Sequence, residues 1–299
     1  SGIGLNELGE IERVEVLRGP QGTLFGRNAS AGIISIVSKA PSFSGFSGGA
    51  EASSGNYDLM RSSATLNVPL GETVAARVDG VYVKRDGFYY DSTNKTDVND
   101  RDRFFVRGQL LFEPSSDLRI RLIGDYTKRD EKCCGATYVS NSVNPYIGNL
   151  NNPANPLQQP GAVPGRTNDS GNNIVNVLTA LGQNPALLNA GWSRELSVSP
   201  GRAYGGGTED YGGSVQADWS FGDTTLTSIT GYRNYFSSQA SDTDYSAVDI
   251  LYRADNDGSS RRFETFSQEL RLQGEAFDGK LDWLVGGYYA NEKLTYNDN

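Results

Sequence analysis

Histidine is absent from this 299-residue chain, methionine occurs once and cysteine twice. Without imidazole the usual general base near neutral pH and the usual nitrogen ligand for zinc are both missing. A Ser-His-Asp arrangement is impossible, and no enzyme activity is expected. Long apolar runs are also missing. No segment approaches the roughly 18 to 20 consecutive apolar residues that a spanning helix needs. That absence leaves a β-barrel open, because barrel strands turn only alternate side chains toward lipid and average out as polar. Positive charge is in short supply as well: 27 basic residues stand against 36 acidic ones, a net charge of −9. Nucleic acid is therefore not an expected partner, since phosphate backbones call for clustered excess Lys and Arg. The chain opens at Ser1 with no basic-then-apolar leader, and Tyr288 to Leu294 reads as a strand without a closing signal. It is read as an internal piece of a longer protein.

What is present is a rhythm of strands joined alternately by short and long connections. Leu70-Gly71-Glu72-Thr73, Glu113-Pro114-Ser115-Ser116-Asp117, Phe221-Gly222-Asp223-Thr224 and Ala276-Phe277-Asp278-Gly279 are tight turns built from Gly, Pro, Asp and Ser. The intervening joints, about 87–103, 131–212 and 236–262, are long and polar. An outer-membrane barrel sorts its loops this way, with short turns on the periplasmic side and long loops outside; a soluble sandwich has no reason to. Nine strands are expected, at about 45–56, 60–70, 74–86, 104–113, 118–130, 212–221, 224–235, 263–275 and 281–293. In the fifth, Leu118, Ile120, Leu122 and Tyr126 share one face, and Arg119, Arg121, Asp125 and Thr127 share the other with Ile123. Trp219, Phe221 and Trp283 fall near the short turns, and Tyr82, Tyr126, Tyr232 and Tyr289 toward the long loops, as two interfacial girdles would. By alternation alone, half-buried strands of a soluble sheet fit equally well.

Residues 11 to 41 differ from the rest. A strand, Ile11 to Leu17, runs into Arg18-Gly19-Pro20-Gln21-Gly22, then Leu24-Phe25-Gly26-Arg27-Asn28, then small residues, then a strand from Ile33 to Val37. Gly19, Gly22, Gly26 and Gly32, with Pro20, make a compact and tightly turned unit. A phosphate loop fails on spacing, because no Gly-x-x-x-x-Gly-Lys-Ser/Thr occurs. The segment Glu12 to Pro41 resembles the plug domain of TonB-dependent receptors, with its Arg-Gly-Pro turn, its Leu-Phe-Gly step and a final strand leading to Lys39-Ala40-Pro41. Phe266 to Leu272 and Trp283 to Tyr289 are similar to wall strands of the same family.

The resemblance implies a mainly β chain. Residues 1–43 would be the C-terminal part of a plug, and 44–299 the N-terminal part of a transmembrane barrel in the bacterial outer membrane. It implies uptake of a scarce nutrient, a ferric siderophore foremost or another chelate. TonB and its inner-membrane energising complex would be the partners, through a motif upstream of Ser1, with outer-membrane lipid around the wall. The alternative is a passive or adhesive barrel, which would have no use for a plug.

Arg13, Glu15 and Arg18 of the plug strand and the inward-turned Glu269 are the candidate plug-to-barrel contacts. The resemblance implies that Arg18 pairs with Glu269 or with the equivalent carboxylate of a further strand. The competing reading is solvated lumen charges contributing about 0 to 1 kcal/mol. Cys133 and Cys134 lie in a loop expected to face an oxidising exterior, where a bond between these neighbours, or pairing with cysteines elsewhere, would occupy them. No cofactor is expected. Asp255-Asn256-Asp257-Gly258 with Glu264 copies part of a calcium loop, but Arg253 stands where the first ligand should be. Tyr89, Tyr90, Tyr138, Tyr146, Tyr204, Tyr211, Tyr235 and Tyr245 could stack on a ligand or pack the loops together; no ligand residue is singled out.

Overall fold

The computed structural model describes residues 7–20, 22, 30–137, 178–188, 193–202, 204–254 and 259–298. Gly26, Tyr138, Tyr146 and the Asp255 to Gly258 segment lie outside them. Along the chain come β1 (Ile11–Arg18), β2 (Gly32–Ser38), β3 (Ser47–Gly55), β4 (Leu59–Pro69) and β5 (Val74–Arg85). The small strands β6 (Tyr89–Asp91) and β7 (Thr96–Val98) precede β8 (Arg101–Ser115) and β9 (Leu118–Glu131). After a helical turn α1 (Pro185–Leu188) follow β10 (Glu195–Leu196), β11 (Gly205–Phe221), β12 (Thr224–Asp242), β13 (Tyr252–Arg253), β14 (Ser259–Ala276) and β15 (Leu281–Asp298).

The large sheet is an antiparallel meander in the order β15-β14-β12-β11-β9-β8-β5-β4-β3, with β13 against β12. Its nine long strands are those expected from the sequence. Several run further, however: β11 begins at Gly205 rather than 212, β12 continues to Asp242, and β14 starts at Ser259. Backbone pairing carries these extensions, as in Gly207↔Ser238 and Thr208↔Ser237. Their Gly and Ser side chains show no apolar alternation, so periodicity could not reveal them.

Cross-strand partners share a face, so the register sorts the wall into two surfaces. Val68, Ala76, Leu110, Leu122 and Val215 form one continuous outer row. On the opposite face Thr65, Asp79, Arg107 and Asp125 are successive partners, and Gly212 links that row to Arg233. Trp219 and Phe221 touch edge to face, 5.5 Å apart, on the outer surface at the short-turn end. Tyr211 lies on the same surface toward the long loops, about 26 Å along β11 at a rise near 3.3 Å per residue. Apolar outside and polar inside is the inverse of a soluble sheet.

A two-stranded hairpin, β1 against β2, stands apart from the large sheet. It turns through Gly19 (φ 82°) and returns at Gly32 (φ 139°), where a Cβ would lie 2.6 Å from the Leu17 carbonyl oxygen. Only glycine fits that return.

Candidate functional site at the hairpin seat

The hairpin is held to the inner face of the sheet at both of its ends. On the entering side, Glu7 approaches Arg61 at 3.8 Å and Arg103 at 4.0 Å. Gly9 passes so close to the wall that a Cβ there would meet Asp79 Cβ at 2.6 Å. The Glu10 N–H donates to Asp79 Oδ1 at 3.3 Å, and the Glu10 carboxylate bonds to Arg77. Arg77 is 4% exposed and Asp79 1%, and the two stand 3.4 Å apart. Thr65 completes the knot, donating to Asp79 at 2.8 Å and accepting from Arg77 at 2.6 Å. A small apolar cluster of Val81, Val83 and Phe105, with Leu59 against it, lies beside this seat.

On the leaving side, Lys39 Nζ donates to Glu10 Oε1 at 2.6 Å, joining the two ends of the hairpin. This bond and the Arg77 charge hold the Glu10 carboxyl below the ordinary carboxylate range, against the opposing effect of burial. Gln109 Nε2 donates to the Lys39 carbonyl at 3.0 Å, and Arg121 donates to the Ser38 carbonyl at 3.0 Å. Asn67, buried, accepts from Ser42 N–H at 2.8 Å and donates to the Ser42 and Gly45 carbonyls. Charge-assisted bonds to sheltered arginines are the strong class of hydrogen bond. The arrangement can hold a small hairpin against a polar wall.

Further round the inner face, Arg233 bonds to Asp125 at 3.0 Å and to Asp210 at 2.7 Å. A cavity of about 200 Å³ opens beside them, lined by Ser214, Thr265 and Ser267 among others.

Solved receptor structures share this fold. The solved Escherichia coli ferric-catecholate import receptor Fiu in its closed form superposes with a TM-score of 0.66 at 16% identity, covering 96% of this chain and 37% of that one. In sequence, the metal-pseudopaline receptor CntO of Pseudomonas aeruginosa is 44% identical over 62 residues, 21% of this chain and 9% of that protein. The ferripyoverdine receptor of the same organism is 29% identical over 137 residues, 45% of this chain and 16% of that protein. The fold is that of a TonB-dependent receptor. No family model matches the chain. The chain thus spans a little over a third of the solved receptor, and its aligned parts a smaller share of the curated relatives.

Within this receptor fold, three of the four expected plug-to-wall residues take ion-pair partners on their own strand. Arg13 donates to Glu15 at 2.6 Å and pairs with Glu12 at 3.0 Å, all three on β1. Glu269 faces inward as its alternation required, but its ion pair is with Arg271 on its own strand, at 3.0 Å. Arg18 lies exposed at the end of β1. A short link from Ser38 to Ser47 leads the hairpin straight into the wall, and the described contacts seat it over β4, β5, β8 and β9. The seat residues Glu10, Lys39, Arg77, Asp79, Gln109 and Arg121 went unselected from sequence. The alternation Ala75-Arg77-Asp79-Val81 within an apolar strand was the available signal.

The long loops pack on one another. Val98, Leu196, Val198 and Tyr204 form a buried cluster with Tyr89 against it. Asp91 caps the β6–β7 turn, accepting from Thr93 N–H at 3.0 Å and Asn94 N–H at 3.3 Å. Asp242 accepts from Ser199 N–H at 2.8 Å. Burial and the neighbouring Asp91 and Asp242 push the Tyr204 hydroxyl up. Tyr89 and Tyr204 therefore pack loops, whereas Tyr211 faces outward at 40% exposure. Cys133 and Cys134, in the connection after β9, are bonded to each other.

Proposed function

We propose that this chain supplies the end of the plug, residues 1–43, and the first part of the wall, 44–299, of a receptor that imports a ferric siderophore across the bacterial outer membrane. The hairpin seated on a polar inner face by Glu10, Arg77 and Asp79 carries the reading. Its back is an apolar outer face suited to lipid. The plug closes the lumen, the long loops and plug apex capture the chelate, and TonB with its inner-membrane complex pulls the plug from the wall. The functions for which the relatives are named, import of ferric catecholates and reception of metal-pseudopaline and ferripyoverdine, support this nutrient class. A passive or adhesive barrel has no need of a hairpin fixed by reversible charge pairs. The test is uptake of radiolabelled iron from a panel of ferric siderophores by iron-starved cells with and without the receptor. Accumulation that needs the receptor and stops when the proton-motive force is collapsed is expected. Receptor-dependent accumulation that persists without that force would overturn active transport.

A further inference from the structure

The outer face of the wall is hollow at one corner. Ala50, Ala64 and Gly80 are successive cross-strand partners on β3, β4 and β5, and so are Ser62, Tyr82 and Phe104 on β4, β5 and β8. Gly80 and Tyr82 share the parity of Ala76, so both rows face outward. Their small side chains leave a groove of about 530 Å³, with the Tyr82 and Phe104 rings at its loop-side end. A Cβ on Gly80 would meet only the Phe105 carbonyl oxygen, at 3.8 Å, so nothing in the wall itself requires glycine on that floor. Charges stand directly beyond the rings. Lys84 follows Tyr82 by two residues on the same face of β5, and Lys128 of β9 lies opposite Phe104. Both lysines are exposed. Asp102 lies opposite Lys84 and Glu209 opposite Lys128, yet none of the four forms an ion pair among the described residues. An apolar groove, an aromatic rim and unbonded charges beyond it repeat the order of a lipid leaflet from tail to headgroup.

We infer that this corner of the outer face binds one glycolipid of the outer leaflet that carries two headgroup phosphates. An acyl chain lies in the groove below Tyr82 and Phe104, and Lys84 and Lys128 each take a phosphate. The two lysines sit two strand spacings apart, about 10 Å, which suits a head with separated phosphates better than a single one. Asp102 and Glu209, between and beside them, take the divalent cations that accompany phosphate, since magnesium binds through a carboxylate or two together with phosphate oxygens. The loop-side position selects the outer leaflet, because the long loops lie outside. The lipid site rests on the reading of this face as turned to the outer membrane. It does not rest on transport.

The experiment is native mass spectrometry of the intact receptor in detergent, equilibrated in magnesium buffer with one lipid at a time: bisphosphorylated lipid A, monophosphorylated lipid A, phosphatidylglycerol or phosphatidylethanolamine. The bisphosphorylated form is expected to bind most tightly. Lys84→Gln and Lys128→Gln should each weaken it about fivefold, the scale of one basic residue at a phosphate surface, and leave phosphatidylethanolamine unchanged. Lys84→Arg should keep the affinity. Gly80→Leu fills the groove and should weaken both forms of lipid A, while chelation of magnesium should weaken the bisphosphorylated form most. Phosphatidylglycerol bound as tightly as lipid A, lysine variants with unchanged lipid A affinity, or a filled groove that binds lipid A as before would each overturn the inference. Indifference to chelation would overturn the role given to Asp102 and Glu209. Ferric siderophore uptake is measured in parallel: its absence in the parent receptor, with lipid A responding as stated, sinks the import reading and leaves the lipid site standing.

Discussion

Glu10→Gln isolates the contribution of the hairpin seat. The substitution keeps the side chain's shape and removes the charge that Arg77 and Lys39 share. A hydrogen bond to a charged group contributes about 1.5 to 3 kcal/mol. Glu10 is 36% exposed, which screens its charge and places the expected loss at the lower end, about 1.5 to 2 kcal/mol. Arg77 keeps Asp79 at 3.4 Å and Thr65 at 2.6 Å, so no buried charge is orphaned and the larger penalty for an unpaired ion does not arise. At about 1.4 kcal/mol per decade, the population with the entering end open should rise about 10- to 30-fold. Hydrogen exchange reads this directly, because local opening sets the protection of an amide. The Glu10 amide donates to Asp79 across the seat and should exchange faster by that factor. The Ser42 amide, bonded to Asn67 on the leaving side, should be unchanged. Arg13→Gln should alter neither, since its ion pairs are within β1 and exposed. Unchanged Glu10 protection, or an equal effect from Arg13→Gln, would refute the assignment of the seat.

Because the Glu10 pKa is held below its ordinary 4.5, its contribution is fully present above that value and is lost as pH falls through the lowered pKa. Protection of the Glu10 amide relative to Ser42 should therefore decline on acidification below about pH 4.5, and Glu10→Gln should remove that dependence. Gly9→Ala would drive a methyl into Asp79 and the Phe105 ring; overpacking of this kind costs about 1 to 3 kcal/mol and should appear as earlier proteolytic release of the hairpin. Val215→Arg places a charge in the middle of the outer row and should lower folding stability in bilayers by about 2 to 4 kcal/mol, measured by denaturant titration in lipid vesicles. Mass spectrometry after thiol labelling should find no labelled cysteine without reductant and two with it, reflecting the Cys133–Cys134 bond.

The sequence by itself determined the nine long strands of the wall, the alternation of short and long connections and the two faces of the wall. Each follows from local chemistry: Gly, Pro and Asp at the turns, and a side-chain period of two along Leu118 to Thr127 or Val215 to Phe221. It also carried Glu269 to the inner face, because parity within one strand is a local property. The partners of those inward charges were not local. Arg77 and Asp79 belong to β5, Glu10 and Lys39 to the ends of the hairpin, and only the path of the link into β3 decides which wall strands the hairpin covers. Family likeness pointed to Arg18 and Glu269; Glu269 pairs with its neighbour Arg271, and the contact that register brings to the entering end of the hairpin is that of Glu10 with Arg77. The outer groove and its rim have the same origin. Tyr82 and Phe104 are separated in sequence by the β6–β7 excursion, and Phe104 and Lys128 by a full turn of the meander. Register alone sets them in one row.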